Sequence, residues 1–193
     1  MGKIIAFFQS IYQWFVVQYA KNGQLGGYVH DTGLAQYMPP NTFHCVTGTW
    51  TDIAGQVAGT ICRHKAATAE TSTVNIPLTI PSNSVPLKGS YLKSVEVDYE
   101  ILVAACTSVT AAIVKVVRGI DTAVAVVTTP ACTQDLAAAV AAASVEQHRL
   151  KVTLTTPAWI DDDEYYFLKL TIVAAATSQI DLLSAVALFT ERL

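Results

Sequence analysis

One stretch constrains this chain more than any other: Tyr91 to Ala105, YLKSVEVDYEILVAA. Val95, Val97, Tyr99, Ile101 and Val103 share one parity, and Glu96, Asp98 and Glu100 stand between them. A period of two is what a strand needs when one face meets a core and the other meets water. The three carboxylates pin the register, because a slip of one residue would bury them all. The rest of the chain reads as strands completing a layer around this one.

Thr42–Trp50 and Gln56–His64 read as two strands joined through residues 51–55. Thr73–Ile80 alternates Val74, Ile76, Leu78 and Ile80, and Pro77 within it places that strand at an edge or a bulge. Residues 81–90, PSNSVPLKGS, are loop chemistry. Ser108–Arg118 and Thr122–Thr128 form a hairpin signature across Gly119-Ile120-Asp121. His148–Thr156 points Leu150, Val152 and Leu154 one way, and Glu164–Val173 does the same with Tyr166, Leu168, Leu170 and Ile172. Ile180–Thr190 is apolar on both parities, which predicts a strand covered on both faces. Gln134–Glu146 is rich in alanine and reads as a helix capped by Thr133 or Asp135, with a long loop as the alternative. About eight strands over residues 42–193 predict an all-β fold, a single β-sandwich of jelly-roll type.

Ahead of this domain lie two segments of different character. Residues 1–20 place Ile4, Phe8, Ile11, Phe15 and Tyr19 at helical spacing, which predicts an amphipathic assembly helix. Gln9, Gln13 and Gln18 interrupt the apolar run too often for a signal peptide or a membrane span, although membrane contact of residues 1–20 stays open. Residues 21–41 carry four glycines and end in Pro39-Pro40, the composition of an extended linker.

The chain is 52% hydrophobic and 14% charged, against a usual charged share of about 25%. That shortage points to surface covered by other protein, as in a homo-oligomer, with a trimer the expected form. A net charge of −3 without basic runs argues against nucleic acid as a partner.

Candidate chemistry is sparse. Asp161, Asp163 and Glu164 crowd one turn and are weak candidates for calcium, but the spacing lacks the Gly and distal Glu of a calcium loop; a solvated turn is the plainer reading. Cys45, Cys62, Cys106 and Cys132 stand singly and read as buried thiols, with disulfides Cys45–Cys62 and Cys106–Cys132 as the alternative. His44 and His64 would face each other on the first hairpin, giving either a transition-metal pair or ordinary packed histidines. Glu96, Asp98 and Glu100 offer paired carboxylates of the glycosidase kind, yet they share an alternating face that a wet surface explains. No nucleophile elbow, phosphate loop or zinc-protease motif occurs, so no enzyme and no cofactor is expected.

Four stretches carry a resemblance: GTWTDIAGQVAGTICRHKAA (48–67), LKGSYLKSVEVDYEI (87–101), TTPAWIDDDEYYFLKLTIVAAATS (155–178) and the final strand. Together they resemble a group of mostly uncharacterised β-sandwich proteins encoded in tailed-phage and environmental viral sequences. The resemblance covers residues 43–193 and implies a non-enzymatic virion component (decoration, minor capsid, spike or fibre) whose partners are copies of itself and other virion proteins. Residues 1–20 would then attach it to the particle. A second expectation comes from the aromatic residues: Trp50, Trp159, Tyr165 and Tyr166 would form a stacking platform in a receptor- or carbohydrate-binding head. A membrane-anchored surface protein is the further alternative.

Overall fold

The computed structural model describes residues 32–55, 60–82, 89–118, 126–136 and 143–192. The opening stretch becomes β6 (Gly89–Ile101), flanked by β12 (Ile180–Arg192) on one side and β10 (Gln147–Trp159) on the other. Val95, Val97 and Tyr99 have no exposed surface, while Glu96, Asp98 and Glu100 on the opposite face are half-buried. Val103 departs from the expected pattern. The strand stops at Ile101, and Val103 is 59% exposed in the crossing toward the other sheet.

The larger sheet runs β3 (Trp50–Ala54), β4 (Ile61–Lys65), β12, β6, β10, β9 (Cys132–Gln134), with β1 (Thr32–Met38) also paired to β12. The smaller runs β2 (His44–Thr47), β5 (Glu70–Leu78), β11 (Glu164–Ala174), β7 (Ser108–Val117), β8 (Val126–Thr128). From β4 onward the chain crosses between sheets at every step except β7 to β8 and β9 to β10, giving β4-β12-β6-β10 in one and β5-β11-β7-β8 in the other. Late strands insert between early ones in both layers. That is the nested arrangement of a jelly roll, and its inward residues, among them Ile76, Ile113, Leu150, Leu168 and Leu182, form one core.

Several sequence expectations are revised, each for a local reason. Residues 42–50 are not one strand. They divide at Gly48, whose φ of 94° carries the chain from β2 in one sheet to β3 in the other. A Cβ there would sit 2.3 Å from Ser72 Oγ, so only glycine fits. The first hairpin is therefore β3–β4, with Thr51 paired to His64, while His44 pairs with Asn75 in the opposite sheet. Residues 51–55 are mostly strand rather than a connection. The linker expected over residues 21–41 is likewise strand from Thr32 to Met38, followed by a 3-10 turn at Pro40–Thr42.

The mixed parity of β12 has another origin than double coverage. A register shift between Leu182 and Ser184 leaves Leu183 as an extra residue. Inward positions are Ile180 and Leu182 before it, and Ala185 and Ala187 after it. Pro77 lies opposite Phe167 of β11, beyond the last residue of β5 that β2 pairs. The strand is internal along its first part and an edge at its proline. Gln134 belongs to β9, residues 135–136 and 144–146 are bends, Ala143 is buried in a 3-10 turn, and residues 137–142 of the proposed alanine-rich helix lie outside the described residues. So do Ile4, Phe8, Ile11, Phe15 and Tyr19 of the proposed assembly helix. Among the described residues, no helix is long and apolar enough to cross a membrane.

Candidate functional site

The outward face of the smaller sheet is built from alternate residues of β5, β11 and β7, whose other parities fill the core. Register sets them in rows. His44, Asn75, Lys169 and Ala112 follow one another across β2, β5, β11 and β7. Pro77, Phe167 and Val114 form the next row, and Tyr165, Val116 and Val127 the one after. A depression of about 350 Å³ opens here, with Phe167, Val114, Asn75, Thr73 and Lys169 among its lining residues. Val114 is only 5% exposed although it faces outward, so it forms the floor. Tyr165, 51% exposed, stands one pleat along β11 from Phe167.

One buried polar atom of this face stands open. The Asn75 Oδ1 is buried and has no hydrogen-bond partner. A buried acceptor left unmade costs about 1–3 kcal/mol, a cost that a ligand donor would remove. Lys169 is exposed and, among the described residues, in no ion pair. The outward positions of β5, β7 and β11 carry no carboxylate.

The opposite face is the reverse case. Glu96 pairs with Lys151 at 3.0 Å, and Asp98 receives Arg149 Nε and Nη2 at 2.7 and 3.2 Å and the Ser184 hydroxyl at 2.9 Å. His64 Nδ1 lies 2.6 Å from Asp181 Oδ1. Glu96 and Asp98, two of the three carboxylates on this face, are thus held by ion pairs and hydrogen bonds within the fold. A second depression, about 440 Å³, lies beside Leu183 and Ser184, because β1 and β4 share one edge of β12 and neither reaches those two residues. Its Ser184 hydroxyl is already bonded to Asp98.

Each tryptophan expected to stack on a ligand is half-buried, lies off the smaller sheet's outward face and makes a contact within the fold. Trp50 is half-buried and donates its Nε1–H to Thr47 O at 3.1 Å. Trp159 packs edge-on against Tyr91, ring centroids 4.7 Å apart. Tyr166 is buried at 3%, its hydroxyl 3.2 Å from Glu164 Oε2 and 3.4 Å from Trp159 O. Burial first, and the Glu164 charge second, push its pKa well up, so it stays a protonated donor. Of the four aromatics singled out, Tyr165 alone reaches the candidate face. Phe167, Asn75 and Thr73 were missed, though Tyr165 and Phe167 on the outward parity of a strand whose inward parity was already full gave a readable signal.

Asp161, Asp162 and Asp163 do gather, with ligand oxygens within 4.8 Å of one another, and Asp161 Oδ1 accepts the Asp162 N–H at 2.9 Å. Glu164 does not join them, because its carboxylate turns to Lys115 and Tyr166. With Glu164 withdrawn, a chelator is expected to leave the melting temperature unchanged, whereas a drop would establish a bound cation. The four cysteines are free thiols, and no bridge joins Cys45 to Cys62 or Cys106 to Cys132. Burial, followed by the neighbouring Asp181 charge, pushes the Cys62 thiol up to about 11. His44 and His64 lie in different sheets and make no metal pair.

Neither a scan of protein-family models nor a search of curated proteins returns a match. Among solved structures, the xylanase 10B CBM22-1–GH10 modules of Clostridium thermocellum, complexed with xylohexaose, align at TM-score 0.44 and 10% identity over 86% of this chain and 28% of that one. A low-affinity xylan-binding module, CBM86, of Roseburia intestinalis gives 0.38 and 8% over 80% and 94%. The family 11 carbohydrate-binding module of Clostridium thermocellum gives 0.31 and 8% over 81% and 88%. Likeness at that level says nothing of what this chain binds, which has to be read from its own surface.

Proposed function

We propose that the protein is a carbohydrate-binding β-sandwich that holds a glycan chain on the outward face of its smaller sheet. The observation that carries this reading is the unpartnered Asn75 Oδ1 beside Phe167 in the depression. A pyranose ring has a C–H face that packs on an aromatic ring and hydroxyls that both donate and accept. Phe167 and Tyr165 supply the apolar contact, the Asn75 oxygen takes a hydroxyl proton, and Lys169 and Thr73 offer donors at the rim. A carboxylate or phosphodiester group has no proton to give that oxygen, which disfavours such an anion alone. The virion reading rests on the resemblance over residues 43–193, on residues 1–20 and on low charge, and nothing on this face speaks for it.

The test is isothermal titration against a panel of soluble polysaccharides. Binding is expected to at least one, weakened about tenfold or more by Phe167→Ala and by Asn75→Ala. Trp159→Ala is expected to lower the melting temperature and leave affinity intact. No binding across the panel, or binding indifferent to both Phe167 and Asn75, would sink the proposal.

A further inference from the structure

Among the described residues, β1, β2, β3, β8 and β9 lie at the margins of the sheets, and β5, β7 and β10 extend past the three residues that β2, β8 and β9 pair. Exposed edges recruit other strands unless something blunts them. All but β1 are blunted: β5 carries Pro77 there, Gln134 Oε1 accepts the Ala111 N–H of β7 at 3.4 Å, and Asp135 Oδ1 accepts the Lys151 N–H of β10 at 2.9 Å. β8 and β9 are three residues long. β2 has four residues and a register shift between Cys45 and Thr47. β3 carries Asp52, half exposed and paired with Arg63. β1 has no such device. It pairs with β12 over seven consecutive residues without a shift, and TGLAQYM contains neither charge nor proline.

We infer that β1 pairs with β1 of a second copy, antiparallel about a two-fold axis, fusing two larger sheets edge to edge. Pairing Gly33–Tyr37 puts Ala35 opposite itself, Leu34 opposite Gln36, and Gly33 opposite Tyr37. The side chains suit that register. Gly33, Ala35 and Tyr37 face outward, since Leu34, Gln36 and Met38 lie against core residues Phe189, Ala187 and Ala185. Tyr37 is 76% exposed, the most exposed large apolar residue described, and nothing lies within 4 Å of where a Gly33 Cβ would be. Each tyrosine ring therefore covers the other copy's glycine, a pairing that compensates a strand glycine. Ala35 keeps the axis small, and with no charge on the edge the two copies meet without repulsion. Pairing also covers Leu34, 37% exposed. Closed two-fold symmetry stops the addition at two copies, where an unmatched edge would polymerise. This gives a dimer rather than the trimer suggested by composition, and β1 lies in the sheet opposite the proposed glycan face.

Sedimentation of the full chain over a concentration series decides the matter. A dimer is expected, with Ala35→Lys, which sets two ammonium groups face to face, losing the dimer while keeping the circular-dichroism spectrum of the folded parent. Ala35→Cys is expected to give a disulfide-linked dimer on mild oxidation, faster than any linkage through the four native thiols, and this holds as evidence even if the lysine variant folds poorly. A monomeric parent, as would follow if residues 1–31 occupied the edge, would overturn the inference. So would a trimer, a dimer untouched by Ala35→Lys, or Ala35→Cys linking no faster than the parent.

Discussion

Val97→Asp is expected to bring the sandwich to the edge of unfolding. Val97 has no exposed surface and sits mid-strand between Leu150 of β10 and Ala185 of β12, facing the core. Losing the valine side chain alone costs about 2 kcal/mol, the expected result for Val97→Ala. The carboxyl adds more, since no described partner is there to receive it. Its folded-state pKa rises far above an unfolded value of about 3.9. The unfolded chain then releases its proton at a pH where the folded chain holds it. The cost consequently grows by about 1.4 kcal/mol per pH unit above about 4, reaching about 4 kcal/mol at pH 7. The sum, about 6 kcal/mol, matches the whole stability of many domains, which is about 5–15 kcal/mol. Urea midpoints of variant and parent, compared at several pH values, check both size and slope. A near-neutral variant, or a difference that does not shrink toward pH 4, would mean Val97 does not face the core. Glu96→Ala, one residue away on the wet face, is the matched control and should cost less than about 1 kcal/mol despite its pairing with Lys151.

That contrast between neighbours is the part of the fold the sequence makes legible. Apolar and polar residues alternate in β6 from Val95 and in β10 from Arg149, the inward parity of β11 is apolar from Tyr166 to Ile172, and each inward residue expected over Val95–Ile101, Leu150–Leu154 and Tyr166–Ile172 is buried. Legibility fails where one residue breaks the period. Leu183 shifts the parity of β12, and Lys93 does the same near the start of β6, where Leu188 pairs with Ser94 but Phe189 with Leu92. Gly48 looks like any glycine between strands, yet it is the point at which the chain changes sheets. β1 was hidden by composition: its glycine and the prolines that follow it read as linker, while its partner lies about 150 residues away.

The candidate site was less legible than the fold for a geometric reason. His44, Asn75 and Lys169 come from three separate strands and become neighbours only through the order β2-β5-β11. No spacing in the sequence encodes that row. The residues that do stand out, Trp50 and Trp159, stand out because they are large, and large aromatics with one polar atom are as useful inside a sandwich as on it. Both are packed, and each has its hydrogen-bond or ring partner within the fold.

The second large effect lies at a corner where the two sheets meet. Lys65 of β4 is buried with no exposed surface. Its ammonium donates to the carbonyls of Ala66 at 3.1 Å and Thr68 at 2.9 Å, and lies 3.2 Å from Glu70 Oε1 of β5. Glu70 in turn accepts the N–H of Thr49, just past the Gly48 crossing, at 3.0 Å. One carboxylate thus ties β4 of the larger sheet, β5 of the smaller, and the segment that switches between them. Glu70→Gln keeps an acceptor for Thr49 but removes the counter-charge, stranding a buried ammonium. The expected loss is about 3 kcal/mol, the lower end for breaking one side of a buried pair, since 22% of the Glu70 side chain stays exposed. Lys65→Met should cost less, because Glu70 retains Thr49 and solvent, and the double variant should recover most of the Glu70→Gln loss. The Thr49 hydrogen bond foremost, and Lys65 after it, hold the Glu70 pKa below 4.5. A depressed carboxyl stabilises the fold fully at neutral pH, and that contribution fades as pH falls from about 4.5 through the folded-state value. The parent should therefore lose stability in that window by an amount that Glu70→Gln, already lacking it, does not. Parallel acid titration of the two by circular dichroism would expose an error. If their stabilities fall together, or if Lys65→Met is the more damaging change, the corner is held by the packing of β4 and β5 and not by the charge between them.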